Sequence, residues 1–110
     1  MQQISPAQVA EWAGQQTQRP VLLDVREGWE VQTASARPAE LDFVHMPMQT
    51  IPARLSELDP ARPIACLCHH GGRSMQVAAF LAQQGFTHVA NVAGGIHAWS
   101  AQIDPSVPQY

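Results

Sequence analysis

The chain has 110 residues, a length that suits one domain over 1–110 and has no room for a second core. With 45% hydrophobic and 14% charged residues it can pack a core, and its net charge of −3 argues against a nucleic-acid binder, which is usually basic. All six basic residues are arginine, which excludes a Gly-Lys-Ser/Thr phosphate loop, a Schiff-base lysine and a lysine general base.

The first predicted helix opens with Ser5 as N-cap, Pro6 in the first turn and Gln8 completing a capping box. Ile4 and Val9 are spaced as a hydrophobic staple, and Val9, Trp12 and Ala13 share a face before Gly14. Val21 to Val25 has the length and content of a buried strand, giving way to polar Arg26 and Glu27. Trp29 to Ser35 is expected to form a short helix, closed by Pro38, and Phe43 to His45 a short strand that ends at Pro47. Ile51, Leu55 and Leu58 fall on one helical face, stopped at Asp59-Pro60.

Ile64 to Cys68 is a further strand-length apolar run, followed abruptly by His69-His70-Gly71-Gly72-Arg73-Ser74. A helix is expected from about Ser74, with Val77, Ala78, Phe80 and Leu81 facing inward and Gly85 as its C-terminal cap. Val89 to Val92 reads as a strand, Gly94-Gly95 as a turn and Ile96 to Ser100 as a helical turn or two, with 104–110 as an extended tail. Alternating strands and helices predict an α/β domain with a largely parallel sheet, which binds ligands beyond the C-terminal strand ends. The longest apolar run, Val77 to Ala82, is far short of a membrane span, and Met1-Gln2-Gln3-Ile4 lacks a basic region leading into an apolar run. The expectation is a cytoplasmic protein with no membrane and no nucleic-acid partner.

The chemistry concentrates after Cys68. A strand–loop–helix turn with two glycines can curl its amides into a nest, and the helix N-terminus adds its dipole. The Cys68 sulfur is the natural occupant. A free thiol titrates near about 8.5, and helix N-termini and cations lower it to roughly 3.5–7.5. Arg73 offers a planar fork for an oxyanion such as a sulfonate. Cys66 has no polar loop beside it and reads as a core residue. Cys66, Cys68, His69 and His70 are all potential metal ligands, but their spacing is not that of a zinc knuckle, so no metal is assigned. Asp24 and Arg26 either line the site or form a structural ion pair, with the pair favoured. His45 and His97 read as hydrogen-bonded scaffold, and Trp99 and Met46 as core.

Cys68-His69-His70-Gly71-Gly72-Arg73-Ser74 resembles the active-site loop of the single-domain rhodanese-like sulfurtransferases. Leu22-Leu23-Asp24-Val25-Arg26-Glu27, His45-Met46-Pro47 and Ala93-Gly94-Gly95-Ile96-His97-Ala98-Trp99 resemble that family's other signatures, in order and across nearly the whole chain. The resemblance implies a three-layer domain, a central, mostly parallel five-stranded sheet with helices on both faces. It implies a thiosulfate sulfurtransferase activity. Cys68 would take the outer sulfur of thiosulfate or of a persulfide donor, hold it as a persulfide, and pass it to cyanide or a cellular thiol such as thioredoxin, glutathione or dihydrolipoate. His69, His70, Gly71, Gly72, Arg73 and Ser74 would form the substrate cradle, and no metal or organic cofactor would be needed. The alternative class is a persulfide carrier with poor turnover on small donors. Phosphatases of this fold place five residues between cysteine and arginine, whereas Cys68 and Arg73 enclose four, which disfavours phosphatase or arsenate-reductase chemistry. Two departures stand out. Met48-Gln49-Thr50 replaces the family's Gly-Ala, and the segment from Arg26 to His45 is long for a minimal domain.

Overall fold

The computed structural model describes residues 1–110. Five strands, β1 (Gln2–Ile4), β2 (Val21–Asp24), β3 (Asp42–His45), β4 (Ile64–Leu67) and β5 (Val89–Val92), form one sheet in the order β1-β5-β4-β2-β3. Every neighbouring pair is parallel. The helices are α1 (Val9–Gly14), α2 (Gly28–Thr33), α3 (Ile51–Arg54), α4 (Gly72–Gln83) and α5 (Gly95–Gln102).

The period of two along each strand divides the core. Leu22, Ala65, Leu67, Ala90 and Val92 pack on one face with Trp12, Ile96 and Trp99 of α1 and α5. Val21, Leu23, Ile64, Cys66, Cys68 and Val89 pack on the other with Ile51 of α3 and Val77, Ala78 and Leu81 of α4. Both faces of β2, β4 and β5 are covered, so these strands are buried throughout and mostly apolar rather than alternating, with Asp24 and Asn91 as buried polar exceptions. Cys66 is fully buried in this layer, and burial pushes its thiol pKa up.

The expected three-layer α/β fold and the four apolar strands are present. The edge strand β1 has no apolar pattern to announce it. It exists because its backbone completes the ladder of β5, Ile4 opposite Val92. At the first helix, the Ser5 amide donates to the Gln8 side chain at 2.9 Å, and a 3-10 turn (Pro6–Gln8) leads into α1. The face of Ile51, Leu55 and Leu58 is assembled from α3 between two 3-10 turns rather than from one helix. Met48, where the family pattern is departed from, anchors the first of those turns by donating its amide to the Val25 carbonyl at 2.9 Å.

The tail departs most from expectation. It is not simply extended, because Val107 is buried against the α5 layer and Ser100 Oγ donates to the Val107 carbonyl at 2.6 Å. This turn carries Tyr110 back to the C-terminal end of the sheet.

Candidate active site

Cys68 is the first residue beyond β4. The chain turns through His69, His70 and Gly71 and enters α4 at Gly72, two residues before the expected start. Gly71 has φ +104°, a conformation that suits glycine, and a Cβ there would lie 3.2 Å from the Gly94 amide nitrogen. That turn aims the Gly71 N–H at the Cys68 sulfur, 3.0 Å away. The amides of Gly72, Arg73 and Ser74 open the helix and, as in any helix, have no intrahelical acceptor. Cys68 itself is 1% exposed.

Ser74 lies one helical turn further and is fully buried. Its hydroxyl oxygen is 3.2 Å from Cys68 Sγ, 3.3 Å from the Gly71 carbonyl and 2.5 Å from Asn91 Oδ1 on β5. One hydroxyl proton serves three acceptors, and Asn91 is the nearest. Asn91 is fixed in turn, because its amide group donates to Gln3 Oε1 at 3.0 Å and to the Gly71 carbonyl at 3.3 Å. Ser74 therefore does not cap α4. It links the sulfur to a buried polar group in the middle of the sheet.

A second support comes from α5. Ile96 N–H donates to the Cys68 carbonyl at 2.9 Å and His97 N–H to the His69 carbonyl at 3.1 Å. The approach is so close that a Cβ on Gly95 would fall 2.4 Å from both carbonyl oxygens. Gly94-Gly95 is thus more than a turn. It lets a helix start dock on the backbone of the loop.

Arg73, the last charged residue of the loop, is engaged by α2. Its guanidinium makes a two-pronged pair with Glu30 of α2, at 2.7 and 2.8 Å. Glu30 also accepts from Tyr110 Oη and from the Glu27 amide, both at 2.9 Å. The Arg73 hydrogen bonds, with help from these two, hold the Glu30 carboxyl down at about 2. The same pair raises the Arg73 pKa.

Asp24 and Arg26 are both fully buried and form the structural pair, with Arg26 Nη2 to Asp24 Oδ2 at 2.7 Å. The remaining guanidinium donors reach the Glu30 and Ala34 carbonyls at 3.2 and 2.7 Å and Tyr110 Oη at 3.0 Å. Every polar edge of the buried cation is met, as a charge without solvent requires. The long segment after Arg26 supplies those carbonyls, wrapping the cation. His45 accepts its expected scaffold role, with Nε2 2.7 Å from the Arg26 carbonyl.

The loop histidines form a stack. His69 lies between Tyr110 and His70, each ring centroid 3.9 Å away, and His97 tilts toward His70 at 5.0 Å. Burial, then the neighbouring His70, lowers the His69 pKa. The expectation for His97 is corrected here. Its side chain is exposed and has no hydrogen-bond partner, because the scaffold contact is made by its backbone amide.

Three residues of the site went unread in the sequence. Asn91 carried a signal, a polar side chain inside an apolar strand. Tyr110 carried none, and Glu30 showed at most a local capping position, since its pairing with Arg73 and Tyr110 reaches partners more than forty positions away.

The rhodanese-like domain family model matches residues 5–102. The chain is 43% identical over 89 residues to the rhodanese-like/PpiC domain-containing protein 12 of Arabidopsis thaliana, covering 81% of this chain but only 30% of that protein. It is 38% identical over 91 residues to a sulfurtransferase of Allochromatium vinosum, covering 83% and 81% of the two chains. The thiosulfate sulfurtransferase GlpE of Actinobacillus succinogenes is 35% identical over 88 residues, covering 80% and 76%. Among solved structures, a rhodanese-related protein of Thermoplasma volcanium superposes with a TM-score of 0.75 at 28% identity, covering 98% and 96%. The fold, the cysteine-bearing loop and these relatives agree, and the chain belongs to the rhodanese-like sulfurtransferase family. No helix is long and apolar enough to cross a membrane.

Proposed function

We propose that this chain moves a sulfane sulfur from thiosulfate or a persulfide donor to a thiophilic acceptor through a persulfide on Cys68. The observation that carries the reading is the Gly71 amide aimed at the Cys68 sulfur where a loop enters a helix. A donor so placed stabilises negative charge on sulfur in both the thiolate and the persulfide. The Cys68 thiolate attacks the outer sulfur of thiosulfate. A Cys68 S–S bond forms, the thiosulfate S–S bond breaks, and sulfite leaves with that electron pair. Cyanide, or a thiolate such as that of thioredoxin, glutathione or dihydrolipoate, then attacks the outer sulfur and returns the Cys68 thiolate.

No general base is required, since the attacking species and both leaving groups are anions. The loop amides from His69 to Ser74 would cradle the outer sulfur, with the Ser74 hydroxyl beside them. The test is an intact mass after incubation with thiosulfate. One added sulfur is expected, removed by cyanide and absent in Cys68→Ala. A fully reduced, folded protein that takes up no sulfur from thiosulfate or from glutathione persulfide refutes the proposal.

The pairing of Arg73 with Glu30 favours a second reading, a persulfide carrier with poor turnover on thiosulfate. A guanidinium already neutralised offers less to a sulfonate. Under this reading Glu30→Gln lowers the KM for thiosulfate, while loading from a persulfide donor is unchanged.

A further inference from the structure

Tertiary structure gathers His69, His70 and His97 from two segments of the chain. One ring nitrogen from each lies within 4.8 Å of the others. No side chain hydrogen-bonds to any of the three rings, and His69 Nε2 is buried without a hydrogen-bond partner. A buried polar atom left in that state is costly and asks for a ligand.

The cluster is held from below. The His97 amide bonds the His69 carbonyl at 3.1 Å, and Gly95 permits this approach by lacking a Cβ. His69 is clamped in its stack on Tyr110, with planes 11° apart. His70 and His97 are exposed, with nothing but neighbouring rings against them. One ligand is therefore positioned and two are adjustable.

We propose that His69, His70 and His97 form a binding site for a divalent transition-metal ion of the zinc type. Imidazole nitrogens suit Zn²⁺, Cu²⁺ and Ni²⁺, whereas Mg²⁺ and Ca²⁺ demand oxygen. Tetrahedral bonds of about 2.0–2.1 Å put ligand nitrogens roughly 3.3 Å apart, so the two exposed rings close in slightly around the ion. Three histidines leave one coordination position open to water or an exogenous ligand. The cysteines take no part, because Cys66 and Cys68 lie buried in the core layer beneath the loop. The site rests on side-chain placement alone and is independent of the sulfur-transfer reading.

The experiment is calorimetric titration of the untagged, reduced, metal-free chain with zinc chloride, with magnesium chloride as the oxygen-preferring control. One Zn²⁺ per chain is expected in the wild type and equally in Cys68→Ser, with no Mg²⁺ uptake. Loss of one ligand in His97→Ala or His97→Gln weakens zinc binding by roughly tenfold or more. Circular dichroism confirms that these surface variants fold. With Cu²⁺ in place of Zn²⁺, electron paramagnetic resonance should show nitrogen superhyperfine structure in the wild type that simplifies in both variants. Zinc affinity unchanged in both His97 variants overturns the proposal. So does zinc binding that disappears in Cys68→Ser, which would mark a thiol site, and so does the absence of zinc binding in the wild type.

Discussion

Replacing Gly95 with alanine tests how α5 supports the cysteine loop. The new Cβ would lie 2.4 Å from the carbonyl oxygens of Cys68 and His69 and 2.6 Å from the His69 carbonyl carbon, all backbone atoms that no rotamer change can move. Restoring an ordinary contact requires α5 to retreat by about 1 Å, which stretches the Ile96–Cys68 and His97–His69 hydrogen bonds from 2.9 and 3.1 Å beyond bonding range. The φ of +62° adds about 1 kcal/mol for a residue with a Cβ. Losing two such bonds costs about 1–2 kcal/mol each, so Gly95→Ala should destabilise the fold by about 3–5 kcal/mol. Gly85→Ala is the control, because Gly85 has φ +94° and nothing within 4 Å of its Cβ position. It should cost about 1 kcal/mol. Urea unfolding of the three proteins, read as midpoints at constant slope, gives both values. If Gly95→Ala is no less stable than Gly85→Ala, the close approach of α5 to the loop is not what the glycine serves.

Other substitutions probe the charges and the sulfur. Asp24→Ala leaves Arg26 buried without its carboxylate and should cost about 3–5 kcal/mol in the same unfolding assay; a cost below about 1 kcal/mol would show that water enters to solvate it. The Glu30 carboxyl is held down at about 2 from an ordinary 4.5 by Arg73. The stability from that pair is therefore complete above pH 4.5 and is lost as pH falls toward 2. Arg73 is 36% exposed, and with that screening the effect is about 2 kcal/mol. Glu30→Gln should flatten the stability–pH curve in that window, and an unchanged slope would refute the pairing. Ser74→Ala removes the hydroxyl beside Cys68 and leaves Asn91 Oδ1 without its donor. We expect persulfide formation in rapid-mixing experiments to slow by about tenfold, equivalent to about 1.4 kcal/mol, with an unchanged rate assigning Ser74 a purely structural role.

Much of the fold was legible locally. The runs at Val21, Ile64 and Val89 are strands because apolar residues covered on both faces leave no alternation, and their length excludes long helices. The capping box at Ser5 and Gln8 was legible because both partners lie within one turn. The edge strand β1 was not, because an edge is created by its neighbour's unpaired backbone and not by its own side chains. The role of Arg73 was read only in part. Its place in the loop suggested a fork for a sulfonate, whereas its pairing with Glu30 depends on the direction in which the helix sends it. Ser74 faces the sulfur, and Arg73 faces α2.

By itself the sequence determined the chemistry available. Without lysine, cationic work falls to arginine, and a cysteine at a strand end followed by two glycines and a helix makes a loop whose Gly71 amide points at the sulfur. These are consequences of residue type and of contacts within a few positions. Tertiary structure alone decided which charges are spoken for and which groups meet. Glu30 occupies Arg73, Tyr110 returns to cover His69, and His97 joins the loop histidines. The physical reason is that each such partnership is set by packing of elements distant along the chain. A Cβ missing at Gly95 then decides how near they can come.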